Sequence, residues 1–235
     1  MRPSTPYRTL CALALALLTA CSTAPRPPSA ALLPPTPATA QAAAAYDAGM
    51  DVFHPVVAKN GMVATEQALA TRIGLEVLQA GGNAVDAAVA VGFALAVALP
   101  NAGNIGGGGF MLVHEAASGQ SVALDFRETA PASAQRSMYL DAQGQVIDGK
   151  SLYTHHAVGV PGTVAGLTHA LQQWGTLPLA HVLQPAIDLA EQGYPVSTTL
   201  AQALERAQTT MGRWPATQAI FWKNGAPLRA GERLV

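Results

Sequence analysis

The sequence predicts a layered α/β body, and three observations predict it. Residues 87–99 (AAVAVGFALAVAL) make a helix that is apolar on every side and therefore needs covering on every side. Residues 110–115 and 121–127 have strand composition and are joined across Ala117-Ser118-Gly119. Residues 66–79 set Leu69, Ile73 and Val77 four apart, with Arg72, Glu76 and Gln79 outside that stripe, the pattern of an amphipathic helix.

The first helix is expected to start at an N-cap on Thr65. It should end at Gly81-Gly82, which supply a left-handed C-cap. Asn83 caps the second helix, and Asp86, three positions on, can reach back to it and meet the helix dipole. Pro100 stops this helix. Residues 87–99 fall short of the ~20 apolar residues a bilayer span needs, so the helix reads as buried core. After a glycine-dense turn and the two strands, residues 139–147 predict a small hairpin around Gly144. Residues 157–160 predict a strand running into Pro161-Gly162, and residues 164–174 a helix. Two further helices are expected at 181–192 and 198–210, and Asn224-Gly225 signals a hairpin within 221–228. No cap, charged tail or proline-rich exit precedes Val235, which reads as a truncation more than a finished C-terminus.

Half of the 235 residues are hydrophobic and 11% are charged, which suits one sizeable domain and excludes a disordered chain. The net charge of −1, without a basic helix or zinc-finger spacing, argues against nucleic acid as a partner. Aromatics are sparse at 6% while alanine is abundant, so the core should consist of closely approaching small-residue helices.

The N-terminus reads as a targeting segment. Arg2 and Arg8 precede an apolar run at 10–18, followed by Leu18-Thr19-Ala20-Cys21, which resembles a bacterial lipobox. Residues 1–20 are thus expected to be a lipoprotein signal peptide, with Cys21 the lipidated residue. Residues 21–46 form a Pro/Ala-rich tether and residues 47–235 the domain. An ordinary secretory peptide with a chance cysteine is the alternative. The expected location is the periplasmic side of the bacterial cell envelope, on a lipid anchor or free if the lipobox is unused. Both cysteines, Cys11 and Cys21, lie in this leader region, so the body has no thiol nucleophile, disulfide or cysteine-held zinc.

Residues 100–131 hold the most pointed chemistry. Gly103 and the run Gly106 to Gly109 follow a helix and precede a strand. A phosphate loop needs the reverse order and a Lys-Ser/Thr pair, so the run reads as a tight turn packed near a site. Arg127, between Asp125 and Glu128 in its vicinity, is either a solvent-facing strand end or a guanidinium fork for a substrate carboxylate. His54, His114, His155, His156, His169 and His181 show no metal-binding spacing, and no G-x-S-x-G elbow occurs.

Three blocks carry a family resemblance: the stretch from GMVATEQALATRIG to GGGGFMLVHE, then LDFRETAP, then AVGVPGTVAGL. From about Asn60 to Val235 the chain resembles the large-subunit portion of gamma-glutamyltransferases, also called glutathione hydrolases. The resemblance implies an N-terminal-nucleophile hydrolase with an αββα sandwich, incomplete in this chain. It implies a precursor that cleaves itself to free a threonine, whose hydroxyl attacks the γ-glutamyl amide to form an acyl-enzyme. It places that threonine beyond Val235, so no catalytic residue is expected in this chain and the chain alone is expected to be inactive. It places the arginine that binds the glutamyl α-carboxylate at Arg127, in Phe126-Arg127-Glu128. Implied partners are glutathione and other γ-glutamyl compounds, a small subunit from the same precursor, and the membrane through the anchor. No cofactor or metal is implied. A non-catalytic envelope lipoprotein, and a relative acting on cephalosporin side chains or poly-glutamate, are the alternatives.

Overall fold

A computed structural model describes residues 55–235, and residues 58–235 make one folded unit. The leader, Cys11, Cys21, His54, most of the tether and the expected domain start at 47 lie outside the described residues.

Helix α1 (Ala68–Gln79) begins two residues later than Thr65 predicts, because Gln67 is the N-cap. Its side-chain carbonyl accepts from the amides of Leu69 and Ala70. Thr65 instead pairs with Thr71 at 2.7 Å and braces the entry from outside. At the other end Gly81, at φ 93°, bonds to the Leu78 carbonyl and Gly82 bonds to that of Val77. This is a Schellman closure, and it leaves no slack before the next helix.

Helix α2 (Ala84–Ala98) starts at the predicted capping box. The Asn83 side chain accepts from the amides of Val85 and Asp86, and the Asp86 carboxylate accepts from that of Asn83. Its apolar surface is covered by α1, α4 (Thr163–Trp174) and α5 (Leu179–Gln192). Val89, Ala90 and Ala94 are fully buried, and the small side chains allow close helix approach. Gly92 faces the Leu167 side chain of α4, and Gly74 on α1 faces Val91. Among the described residues no helix is long and apolar enough to cross a membrane.

Strands β1 (Phe110–Glu115) and β2 (Gln120–Asp125) form an antiparallel ribbon in the register Phe110↔Asp125 to Glu115↔Gln120. Met111, Val113 and Leu124 pack on the helical core. Phe110 and Leu112 occupy the other face and are 66% and 84% exposed. The predicted hairpin at 139–147 is present as a single bridge, Leu140↔Val146, whose turn the Asp141 carboxylate closes by accepting from Gln143 and Gln145.

The strand expected at 157–160 is not formed as such. Residues Lys150–Tyr153 make a short helix, α3, and His155–Ala157 a 3-10 turn. Only Val160 pairs in β fashion, with Thr129. Thr154 caps the turn that takes in Ala157, its hydroxyl accepting from the His156 amide, while Val158 beyond it is extended but pairs with no strand among the described residues.

A second core cluster joins α2 to the C-terminal third. Strand β3 (Tyr194–Pro195) pairs antiparallel with β6 (Arg233–Leu234), and Tyr194 donates its hydroxyl to the Val97 carbonyl at 2.7 Å. Burial pushes that phenol up to about 12. The helix expected at 198–210 breaks at Ala207 into α6 (Thr198–Arg206) and α7 (Gln208–Met211). Helix α8 (Pro215–Phe221), with proline in its first turn, leads into the predicted hairpin of β4 (Trp222–Lys223) and β5 (Ala226–Pro227). Asn224 and Gly225, at φ 54° and 77°, form its two-residue turn.

Candidate carboxylate-binding site

Arg127 stands just beyond the end of β2. Ribbon pairing continues one residue past the strand, where Phe126 exchanges two backbone hydrogen bonds with Gly109. The Asp125 carboxylate then accepts from the Arg127 amide at 2.9 Å and turns the chain. The guanidinium carbon lies 5.7 Å from the centre of the Phe110 ring, and Nε donates to Glu128 Oε2 at 3.2 Å. Among the described residues, the two terminal nitrogens of Arg127 donate to none. Its side chain is 62% exposed. A ring beneath and a carboxylate on Nε hold the plane of the fork while its outer edge stays open. The Glu128 carboxyl is held below the usual range, first by its own backbone amide and then by the Arg127 guanidinium.

The glycines explain how this segment is held. A Cβ on Gly108 would lie 2.5 Å from the Phe126 carbonyl oxygen and 2.8 Å from the Arg127 Cα. One on Gly162 would strike the same carbonyl oxygen, and one on Gly166 the Phe126 side chain. A Cβ on Gly159 would press on Glu128 Cβ at 3.0 Å. The Gly107 carbonyl accepts from the amides of Gly162 and Thr163, so the glycine turn also closes the start of α4. Backbone thus packs on backbone from both sides of residues 126–128. The run reads as a packing device, in keeping with the tight-turn expectation.

This assignment separates neighbouring glycines. Nothing lies within 4 Å of a Cβ built on Gly106, whereas Gly108 has no room. Gly108→Ala should destabilise the protein by about 2 kcal/mol, through overpacking against backbone that cannot rotate away. Gly106→Ala should stay within about 0.5 kcal/mol of the parent. Urea unfolding of both variants checks this, and equal effects would contradict the packing role.

The arginine opens into a cleft of about 360 Å³, lined by Pro131, Met138, Tyr139, His156 and Val158 among others. Tyr139 donates its hydroxyl to the His156 carbonyl at 2.9 Å and ties the small hairpin to the 3-10 turn across the cleft. The sequence carried no signal for this tie, since Tyr139, at the start of the expected hairpin, and His156 are 17 positions apart. A hollow of about 420 Å³ between α6 and residues 226–230 contains Glu205 and Arg229, but no glycine-packed segment delivers its arginine. The site therefore centres on Arg127. Cys21, expected to carry lipid, is outside the described residues.

Residues 70–235 match the profile of the Gamma-glutamyltranspeptidase family. The chain belongs to that family. It is 51% identical over 208 residues to the glutathione hydrolase proenzyme of Escherichia coli (strain K12), covering 88% of this chain and 35% of that protein. It is 41% identical over 187 residues to the acylase ACY 1 proenzyme of Pseudomonas sp. (strain V22), covering 77% of this chain and 33% of that one. Among solved structures, Helicobacter pylori gamma-glutamyltranspeptidase aligns with a TM-score of 0.74 at 45% identity, over 77% of this chain and 52% of that chain. The mixed α/β arrangement is accordingly that of the N-terminal-nucleophile hydrolases expected from the sequence. The chain spans about a third of the length of the curated relatives it matches.

Proposed function

We propose that this chain is the N-terminal part of a γ-glutamyl hydrolase and acyltransferase, and that Arg127 binds the α-carboxylate of the glutamyl group. The observation that carries the reading is an open guanidinium edge, set between the Phe110 ring and Glu128, at the mouth of a cleft of about 360 Å³. The family membership supports the same reaction class.

In this reading Arg127 receives the carboxylate through two parallel hydrogen bonds from its terminal nitrogens, and Phe110 and Glu128 fix the plane of the fork. Gripping the α-carboxylate holds the distal γ-amide carbon at a set reach, which is what an attacking hydroxyl requires. The nucleophile is a threonine from outside these 235 residues, supplied by the same precursor. Its Oγ bonds to the γ-carbonyl carbon, the C–N bond breaks, and the hydroxyl proton passes through a base to the departing amine. Water or a second amine then takes the glutamyl group from the ester and restores the hydroxyl. This chain holds and orients the substrate and performs no bond cleavage alone.

A γ-glutamyl anilide compared with the 4-aminobutyryl anilide, which lacks only the α-carboxylate, tests this in the complete protein. The analogue should lose roughly a hundredfold in kcat/KM, the worth of a charge-assisted pair. Equal turnover of the two would remove the glutamyl assignment. It would favour the acylase-like alternative, which the 41% identity to an acylase proenzyme supports.

A further inference from the structure

The hollow of about 420 Å³ between α6 and residues 226–230 takes no part in the glutamyl reading, and its lining has a chemistry of its own. One wall is Thr198, Ala201, Gln202, Glu205 and Gln208. Their helical spacing makes them a single face of α6 continued into α7. Ala201 is the one small side chain in that stripe and leaves the space open. The other wall is Ala226 to Ala230, which brings Arg229 to the same hollow.

Both walls are fixed to one another. Ser197 caps α6 by accepting from the Leu200 amide, and Val196 just before it exchanges backbone hydrogen bonds with Gly231 and Glu232. Leu200 and Leu204 from one wall and Leu228 from the other are buried in a single core cluster. The charges that line the hollow are, by contrast, unpaired. Among the described residues, Glu205 and Arg229 form no ion pair with each other or with any third group. Glu232, the carboxylate nearest Arg229 in sequence, is bridged to Lys223 at 3.6 Å and accepts from the Arg229 amide at 2.7 Å, which leaves the guanidinium open. The hollow therefore offers a carboxylate on one wall and a free fork on the other, with aliphatic surface from Ala201, Pro227 and Leu228.

We propose that this hollow is a binding site for a small zwitterion, an α-amino acid with an aliphatic side chain. The ammonium of the ligand meets Glu205, its carboxylate takes the Arg229 fork through two parallel hydrogen bonds, and its side chain covers Ala201, Pro227 and Leu228. A simple anion would leave Glu205 without a partner and bring a like charge toward it, and a simple cation would do the same to Arg229. A zwitterion satisfies both groups and adds no net charge. None of the residues lining this hollow lines the Arg127 cleft, so the site is separate from it. Binding here is independent of the reaction assigned to that cleft.

Calorimetric titration of the complete protein with L-leucine tests this, in an Arg127→Ala background that silences the carboxylate site of the cleft. Leucine should bind saturably, and Glu205→Gln or Arg229→Gln should each weaken it about tenfold, the size of one charge-assisted hydrogen bond. Two analogues sort the charges: isopentylamine lacks the carboxylate and 4-methylpentanoate lacks the ammonium. Each should bind the parent about tenfold more weakly than leucine does. Arg229→Gln should bind leucine and isopentylamine alike, and Glu205→Gln should bind leucine and 4-methylpentanoate alike, because one interaction cannot be lost twice. Ala201→Leu fills the hollow with both charges in place and should abolish binding. Glu205 and Arg229 are exposed, so their variants should keep the parent unfolding midpoint and decide the matter even if Ala201→Leu fails to fold. Absence of saturable leucine binding overturns the site. So does equal binding by the parent and both charge variants, or a discrimination among the three ligands that neither variant alters.

Discussion

Arg127→Ala in the complete protein should lower kcat/KM for a γ-glutamyl anilide by about a hundredfold or more, and it should also abolish the preference for substrates bearing an α-carboxylate. The two losses describe one interaction from its two sides, so they should not add. The wild-type protein should favour the γ-glutamyl anilide over its 4-aminobutyryl counterpart by roughly a hundredfold; the alanine variant should treat them alike. Arg127→Lys should fall between, losing about tenfold, because an ammonium keeps the charge but cannot make two parallel bonds to one carboxylate. Steady-state kinetics on the two substrates and three proteins form the complete cycle. Additive losses would mean that Arg127 acts on the fold or on some other part of the substrate. The side chain is 62% exposed and makes one side-chain hydrogen bond, to Glu128, so its removal should leave the unfolding midpoint nearly unmoved. Loss of activity without loss of stability is the signature of a binding residue at this position.

What could be read in the sequence divides along a physical line. Elements specified by local chemistry were legible: the Asn83–Asp86 capping box, the Gly81-Gly82 exit, the β1–β2 ribbon and the Asn224-Gly225 turn each depend on residues within a few positions of one another. The first N-cap was misplaced because Thr65 and Gln67 compete for the same role. Thr65 is the better cap by type and its hydroxyl does accept from the Gln67 amide at 3.1 Å, but the helix itself starts only after Gln67, whose side chain caps it. The strand expected at 157–160 is reduced because the Thr154-capped turn takes in its first residue and, of the rest, only Val160 finds a bridge partner, in Thr129. The pairing of β3 with β6 joins residues some forty positions apart in strands of two residues, too short to show a period.

The candidate site shows the same division. Arg127 stood out by type and position, and the family resemblance supplied its expected role. Its supports were not legible, because they come from elsewhere in the chain. Gly162 and Gly166 lie about forty residues downstream of the segment they make room for, and the Phe110 ring reaches Arg127 only through ribbon register. The glycine run also looked like one object and is two. Gly107 and Gly108 are pressed between backbones or bonded to the α4 start, while Gly106 touches nothing. Sequence reports the identity of a glycine, whereas its use depends on what lies where a Cβ would be.

Asp86→Ala should be the most destabilising of the substitutions considered, at about 3 kcal/mol or more, because it leaves several buried donors without an acceptor. The carboxylate is fully buried and accepts four hydrogen bonds. They come from the amides of Asn83 at 2.8 Å, Thr176 at 2.9 Å and Leu177 at 3.0 Å, and from the Thr176 hydroxyl at 2.6 Å. Beside it Asn83 donates to the Trp174 carbonyl at 2.6 Å, so one helix start anchors the whole connection from α4 to α5. That connection holds α4 against the segment that presents Arg127, which links a structural carboxylate to the site at one remove. Burial alone would raise the Asp86 pKa, but the bonds from the Thr176 side chain and from the amides of Asn83, Leu177 and Thr176 outweigh it, and the net shift is downward. The folded protein therefore binds this proton less readily than the unfolded chain, and stability rises with pH across the window between the two values. The contribution should be fully present above the ordinary aspartate range and fade as pH falls through the folded value, below about 4. Urea unfolding at neutral pH should show the full gap between wild type and Asp86→Ala, and the gap should narrow in acid. A gap that stayed constant into strong acid would mean that residue shape, and not the charged acceptor, holds the α4–α5 connection in place.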